Sequence, residues 1–371
     1  MKTIIAIGVF LASLAAGASP AEPPLKDVFA KHFLIGAAVN TAQVSSEDRP
    51  DTRLLKRHFN SITPENSMKW GSIHPQPDQY DFSEADRYVS FGEKNGMVVI
   101  GHTLVWHSQT PGWVFKDADG KSATREFLLA RMEKHIRTVV GRYKGRIRGW
   151  DVVNEALDDN GELRQSRWLK IIGDDYIVKA FEFAHAADPD AELYYNDYSL
   201  EDSARRNGAV ALIRTLQAKG VKVSGIGTQT HAKMDWPTPK MVEDTITAFG
   251  ALGVKVMITE LDVDVLPAAT SNLGADISLR IESNPKLNPY AAGFPEAGQA
   301  ALARRYAEFF ALYVKHSDIV DRVTFWGITD GESWLNNWPV HGRSNHPLLF
   351  DRGGKPKPAY SSVIRTVPNP D

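Results

Sequence analysis

The chain has 371 residues, of which 43% are hydrophobic, 24% charged and 10% aromatic, and its formal charge is −2. That composition excludes a disordered or fibrous polypeptide and describes a globular chain with a substantial core. The near-neutral charge leaves no footprint for nucleic acid or an anionic membrane surface, so a neutral polymer is the more comfortable partner. There is no cysteine, so neither disulfides nor thiolate metal sites contribute, and stability must come from the core.

The N-terminus carries Lys2, an apolar run from Ile4 to Ala16, and the small residues Ala16, Gly17 and Ala18 ahead of Ser19 and Pro20. This pattern reads as a signal peptide over residues 1–18, cleaved after Ala18. The run of about 13 residues is too short to span a bilayer. No later segment is long and apolar enough to cross a membrane. The expected product is exported, secreted or periplasmic, without membrane attachment once the signal is removed, and monomeric.

Strand-like runs follow at 33–39, 59–63, 97–103, 147–154, 192–196, 223–229, 254–259 and 322–328. Between them lie amphipathic stretches of helical period at 123–141, 174–187, 203–219, 238–252 and 298–316. Strand and helix in alternation predict an α/β chain whose parallel sheet closes on itself, a (β/α)8 TIM barrel forming a single domain over residues 25–366. An open doubly wound sheet should place a glycine-rich phosphate loop after its first strand, where only Gly36 stands.

A barrel of this kind places its chemistry at the C-terminal ends of the strands. The unusual residues fall there in chain order. Glu65 and Asn66 follow the second strand, and His102, Trp106 and His107 belong to the third. Asn154 and Glu155 end the fourth, and Asn196, Asp197 and Tyr198 the fifth. Gln229 and His231 close the sixth, Glu260 and Asp262 the seventh, and Trp326 the eighth.

Glu155 and Glu260 occupy equivalent tips of two strands. Two carboxylates facing one crevice repel and raise a pKa unless the chemistry uses them, and a paired acid and nucleophile is the minimum apparatus for cleaving a glycosidic bond with retention. Glu260 and Asp262 are two residues apart, so their side chains lean the same way, within reach of His231. Trp70, Trp106, Trp113, Trp326, Trp334 and Trp338 lie in or near the loops, where flat apolar faces suit sugar rings, while Trp150 and Trp168 read as core. His102, His107 and His231 raise a metal-dependent hydrolase as an alternative, but the chain has no His-x-His or His-Glu-x-x-His pair and that reading leaves the tryptophans unexplained. No metal and no cofactor are expected.

Seven ordered blocks resemble the signatures of glycoside hydrolase family 10, the endo-β-1,4-xylanases: Thr63 to Trp70, Gly101 to His107, Trp150 to Ala156, Tyr195 to Tyr198, Gly225 to His231, Thr259 to Asp262 and Thr324 to Gly327. The resemblance runs through nearly the whole mature chain. It implies that Glu155 is the acid/base and Glu260 the nucleophile, with His231 and Asp262 hydrogen-bonded around the latter. It further implies that Asn154 grips the 2-hydroxyl of the sugar under attack. Glu65, Asn66, Lys69, His102, Trp106, Gln229 and Trp334 would form the glycone subsites, with Trp326 at their edge and Tyr198 on the aglycone side. The partners implied are xylan and xylo-oligosaccharides.

The chain departs from the family pattern at Ser199, where relatives often have Asn, and in a long stretch at 267–296 that can reshape the cleft. The alternatives are a retaining endoglucanase or mannanase on the same barrel, or a xylan-binding protein that does not cut; retention of both carboxylates weighs against the last.

Overall fold

The computed structural model describes residues 22–270 and 276–368. The expected signal peptide at 1–18 lies outside the described residues. Among the described residues nine parallel strands are formed: β1 (Leu34–Val39), β2 (Ser61–Pro64), β3 (Val98–Trp106), β4 (Gly149–Asn154), β5 (Glu192–Asp197), β6 (Gly225–Thr228), β7 (His231–Lys233), β8 (Lys255–Asp264) and β9 (Val320–Phe325). Each of β1 to β6 pairs with the next in sequence except that β6 turns to β8, from Gly225↔Lys255 to Thr228↔Ile258, and β8 meets β9, which returns to β1. That last set of pairings closes the ring, so the architecture is the (β/α)8 barrel.

The strands are buried along nearly their whole length, as expected of a sheet covered on both faces. The covering helices include Arg125–Arg142, Tyr176–Ala187, Ser203–Ala218, Pro239–Gly250 and Glu296–Lys315, each within a few residues of its expected position. Their starts are fixed locally. Thr124, Asp202 and Thr238 accept hydrogen bonds from the first free N–H groups of their helices, and Pro239 adds a pre-set φ at the N-terminus of the fourth. Their apolar stripes, such as Leu128, Met132, Ile136 and Val139, pack outward-facing strand residues into one continuous core. Helices at Pro50–His58 and Ser83–Lys94, which the periodicity argument did not single out, complete the early turns of the barrel.

Two boundaries differ from expectation in a way that matters for the site. The sixth strand stops at Thr228, and His231 belongs to the separate short strand β7, paired with β8 at His231↔Asp262. The strand carrying the second carboxylate does not end at Thr259 but runs on to Asp264, held by β7 on one side and by Leu261↔Phe325 on the other. Glu260 and Asp262 are therefore anchored by a paired backbone rather than a loop.

Strand ends are also where the backbone is strained. Glu155, Ser199 and Thr230 adopt φ of 56°, 49° and 56°, a left-handed region that side-chain-bearing residues rarely occupy. All three follow within two residues of a strand terminus, and Glu155 and Ser199 line the same opening, the usual location for stored strain.

Candidate active site

The C-terminal ends of the strands open into a cleft of about 980 Å³. Every expected subsite residue lines it: Glu65, Asn66, Lys69, His102, Trp106, Asn154, Tyr198, Gln229, Trp326 and Trp334, along with Glu155, Glu260 and His231. Asp262 stands behind the wall, buried, and reaches the cleft through His231.

The two carboxylates are both nearly enclosed, Glu155 at 8% and Glu260 at 5% exposure, yet their surroundings push them in opposite directions. Glu155 lies above the usual carboxylate pKa, first because burial penalises its charge and further because Glu260 is negative; the hydrogen bonds from Gln229 and Trp106 oppose this without overcoming it. Those bonds run from Gln229 Nε2 to Oε1 at 2.9 Å and from Trp106 Nε1 to Oε2 at 2.8 Å, so the side chain is fixed at both oxygens. His107 Nδ1 stands 3.9 Å from Oε2.

Glu260 is driven below its usual value. Burial alone would raise it, but the hydrogen bond and charge of His231, the charge of His102 and the hydrogen bond from Asn196 outweigh that. His231 bridges the pair on the same strand, Nε2 to Glu260 Oε2 at 3.2 Å and Nδ1 to Asp262 Oδ1 at 2.9 Å. Burial would depress the imidazole; Asp262 first and Glu260 next carry it up to about 10, so it is an imidazolium donating from both nitrogens at neutral pH. Asp262 is held in turn by the Trp334 indole, whose Nε1 donates to Oδ2 at 2.8 Å.

A chain of amides joins the two carboxylates. Asn196 Nδ2 donates to Glu260 Oε1 at 2.9 Å and to Asn154 Oδ1 at 2.8 Å, and Gln229 Nε2 reaches Asn154 Oδ1 at 3.4 Å as well as Glu155. Asn196 itself is oriented by Thr259, which donates to its Oδ1 at 2.6 Å. The glycine at 227 is dictated by this arrangement, since a Cβ there would fall 2.4 Å from Asn196 Oδ1 and 2.6 Å from the Thr259 methyl. With Asn154 Oδ1 spent on its neighbours, its amide nitrogen is the group left to meet a sugar hydroxyl.

On one side of the pair, buried Lys69 donates to Asn66 Oδ1 at 3.0 Å and lies 5.0 Å above the Trp106 ring. Burial lowers its pKa, and the negative charges of Glu260, Glu65 and Glu155 oppose that without overcoming it. His102 is held by Asp151 at 2.9 Å and meets Trp326 edge-on. Trp334 packs against His231 at 4.9 Å and stacks on Trp338 at 4.8 Å. On the other side, Tyr198 lies under the Arg205 guanidinium, 3.9 Å from its ring centre, and Ser199, Lys233 and Trp236 continue the wall.

Several expectations need correcting. Trp70 does not face the groove: it is 2% exposed and stacks on His135 at 3.6 Å. Trp113 donates its indole N–H to the Pro75 carbonyl and packs edge-on against His74. Both belong to an aromatic and histidine stack that seals the β2 and β3 loops against helix Arg125–Arg142, a second layer invisible to a rule that places loop tryptophans in the groove. Trp106, Trp326, Trp334 and Trp338 do line the cleft, and Trp150 and Trp168 are core. The long stretch after β8 reaches the site with Thr270, Ile277 and Arg280 and is tied down by the Ile281↔Val340 bridge and by Asn288, which accepts from Ser344 N at 2.9 Å. Asn196 was legible as a strand-end residue but not as a ligand of Glu260. Its position opposite Gly227 and beside Thr259 on neighbouring strands was the available signal.

The profile of glycosyl hydrolase family 10 matches residues 24–366. The chain is 49% identical to endo-1,4-beta-xylanase A of Xylanibacter ruminicola, over 98% of each sequence. It is 46% identical to a beta-1,4-xylanase of Dictyoglomus thermophilum, over 92% of this chain and 91% of that one. Among solved structures, a GH10 endoxylanase retrieved from a sugarcane soil metagenome superposes with a TM-score of 0.89 at 46% identity, covering 92% of this chain and 99% of the other.

Proposed function

The chain belongs to glycosyl hydrolase family 10 and acts as a retaining endo-1,4-β-xylanase, and from that premise we propose how its side chains divide the work. Glu260, ionised, attacks the anomeric carbon from one face; Glu155, protonated, gives its proton to the departing glycosidic oxygen. Water then enters, Glu155 removes its proton, and the ester to Glu260 is broken. The observation that carries the assignment is the opposed electrostatics of two equally buried carboxylates, one held up and one held down. Once Glu260 is esterified its negative charge is gone. One of the causes raising Glu155 disappears with it, which suits the switch from acid to base.

Asn154 is assigned to the 2-hydroxyl of the sugar under attack, where contacts that tighten in the transition state contribute most. Lys69, Asn66, Glu65, His102 and Gln229 supply polar contacts to the remaining hydroxyls on the glycone side, with Trp106 beneath them and Trp334 and Trp326 above. Tyr198 takes the first sugar on the leaving side. Xylose lacks the hydroxymethyl arm of glucose, so a roof of Trp326 and Trp334 close over the reacting sugar favours xylan over cellulose.

The test is a paired digestion of xylan and soluble cellulose with the product anomer followed by NMR at early times. Xylan should be preferred by well over tenfold and the β-anomer should appear first. Equal rates would defeat the steric argument, and an α-anomer would defeat the division of roles. We also propose that the enzyme is exported by its first 18 residues and works as a monomer; N-terminal sequencing of the secreted form should begin at Ser19.

A further inference from the structure

We propose that Arg164 is the positioning residue of the proton donor, fixing the Glu155 main chain and the aglycone tyrosine with a single guanidinium. The inference rests on the assignment of Glu155 as acid/base. After β4 the chain turns at Glu155, runs out over the cleft edge and comes back through the Leu157↔Leu163 bridge, which brings Arg164 under the turn. Its Nε donates to the Glu155 carbonyl at 3.0 Å, and Nη2 donates both to the Leu157 carbonyl at 2.7 Å and to the Tyr198 hydroxyl at 2.9 Å. Nη1 pairs with Asp158 at 3.0 Å. The planar fork is thus spent in four directions, a pattern that a lysine cannot reproduce.

Two features make this more than loop packing. Glu155 has φ of 56°, and a side-chain-bearing residue persists there only where its surroundings over-determine it. The Arg164 contact to its carbonyl, together with the Glu155 N–H bond to the Asn196 carbonyl at 2.9 Å, supplies that determination on both sides of the Cα. Tyr198 meanwhile lines the leaving-group side of the cleft. A sugar seated against Tyr198 loads the same guanidinium that sets the direction of the acid.

The charge of Arg164 acts in the same sense as its geometry. It favours the ionised form of Glu155, against burial and the Glu260 charge. The other groups facing Glu155 are Gln229 and Trp106, which donate to it, His107 at 3.9 Å, Lys69 across the cleft, and Asp197, which is itself neutralised by Arg205 at 2.5 Å. Arg164 is the cation bound to the Glu155 turn itself. Without it one of the influences favouring the ionised form of Glu155 is lost.

The experiment compares Arg164→Met, which removes fork and charge, with Arg164→Lys, which removes the fork alone. For each, kcat/KM is measured against pH on xylohexaose and on dinitrophenyl xylobioside, whose leaving group needs no proton. On xylohexaose both variants should lose about 10- to 100-fold, whereas on the aryl substrate they should stay within about threefold. The alkaline limb should move to higher pH in Arg164→Met and stay close to the parent in Arg164→Lys. Equal losses on the two substrates with an unmoved limb would overturn the proposal and leave Arg164 a structural residue. Glu155→Ala, run alongside, separates this from failure of the premise: if it falls equally on both substrates the acid/base assignment itself is wrong. If it splits them while neither Arg164 variant does, only the positioning role is lost. Should Arg164→Met fail to fold, the substrate split in Arg164→Lys decides.

Discussion

Replacing His231 with Gln removes an imidazolium from between two carboxylates while leaving a side chain able to donate one hydrogen bond. The size of the effect follows from the bridge. In the folded protein the imidazole is carried from its ordinary 6.5 to about 10 by Asp262 and Glu260 against the opposing effect of burial. Its side chain is only 22% exposed, so solvent screening is modest. A folded pKa above the unfolded one means stability that is complete below about 6.5 and is lost as pH rises through about 10. The shift corresponds to at most roughly 5 kcal/mol, declining by about 1.4 kcal/mol per pH unit across that window. This agrees with the roughly 3–5 kcal/mol expected for stripping the partner from buried charges. Urea unfolding of the parent and His231→Gln, followed by tryptophan fluorescence at pH 6, 7, 8, 9 and 10 and one ionic strength, reads it directly. The stability gap should be widest at pH 6 and nearly closed at pH 10. A gap that stays constant across the series would show a neutral imidazole and refute the reasoning for Glu260 as well.

Three further outcomes follow from the same geometry. The kcat/KM profile on xylan should fall on its acid side at a pH below the ordinary glutamate value of 4.5, where Glu260 takes up a proton, and on its alkaline side at a pH above it, where Glu155 loses one; limbs in the reverse order of assignment in Glu155→Gln would contradict the roles. Asn196→Ala takes a charge-assisted bond from Glu260 Oε1, which should cost about 1.5–3 kcal/mol of transition-state stabilisation, or roughly 10- to 150-fold in kcat/KM, and move the acid limb upward. Trp334→Phe keeps an aromatic face but strips Asp262 Oδ2 of its indole donor. It should lower stability by about 1–3 kcal/mol in thermal unfolding and raise KM on xylotriose less than Trp334→Ala does.

Most of the barrel was legible in the sequence because its signal is local. Runs such as 254–258 are apolar apart from Lys255, as buried parallel strands tend to be, and the helices between them carry period and caps. Closure by β6 with β8 was implied only by the count of units; the pairing itself is non-local. The short strand β7 was missed because three residues, His231–Lys233, carry no periodicity and owe their conformation to pairing with Asp262 to Asp264.

In the site, Glu155 and Glu260 were visible from their place at strand tips, and His231 from its proximity to the Glu260 and Asp262 register. The tryptophans were divided wrongly at Trp70 and Trp113, since loop position does not tell which face of a loop meets the groove and which meets the helix layer. Asn196 and Arg164 act through hydrogen bonds to residues 64 and 9 positions away. Asn196 stood in a signature block without its partner being visible, and Arg164 stood in none, so only the folded chain reveals what each one holds.

The account depends on Glu260 forming a bond to the sugar. Incubation with an activated 2-deoxy-2-fluoro-xylobioside, which slows release of the glycosyl-enzyme, followed by proteolysis and mass spectrometry, tests it. One sugar unit should be found per chain, ester-linked to Glu260, and Glu260→Gln should take up none. A label on Glu155, or full inactivation with no covalent adduct anywhere on the chain, would contradict it.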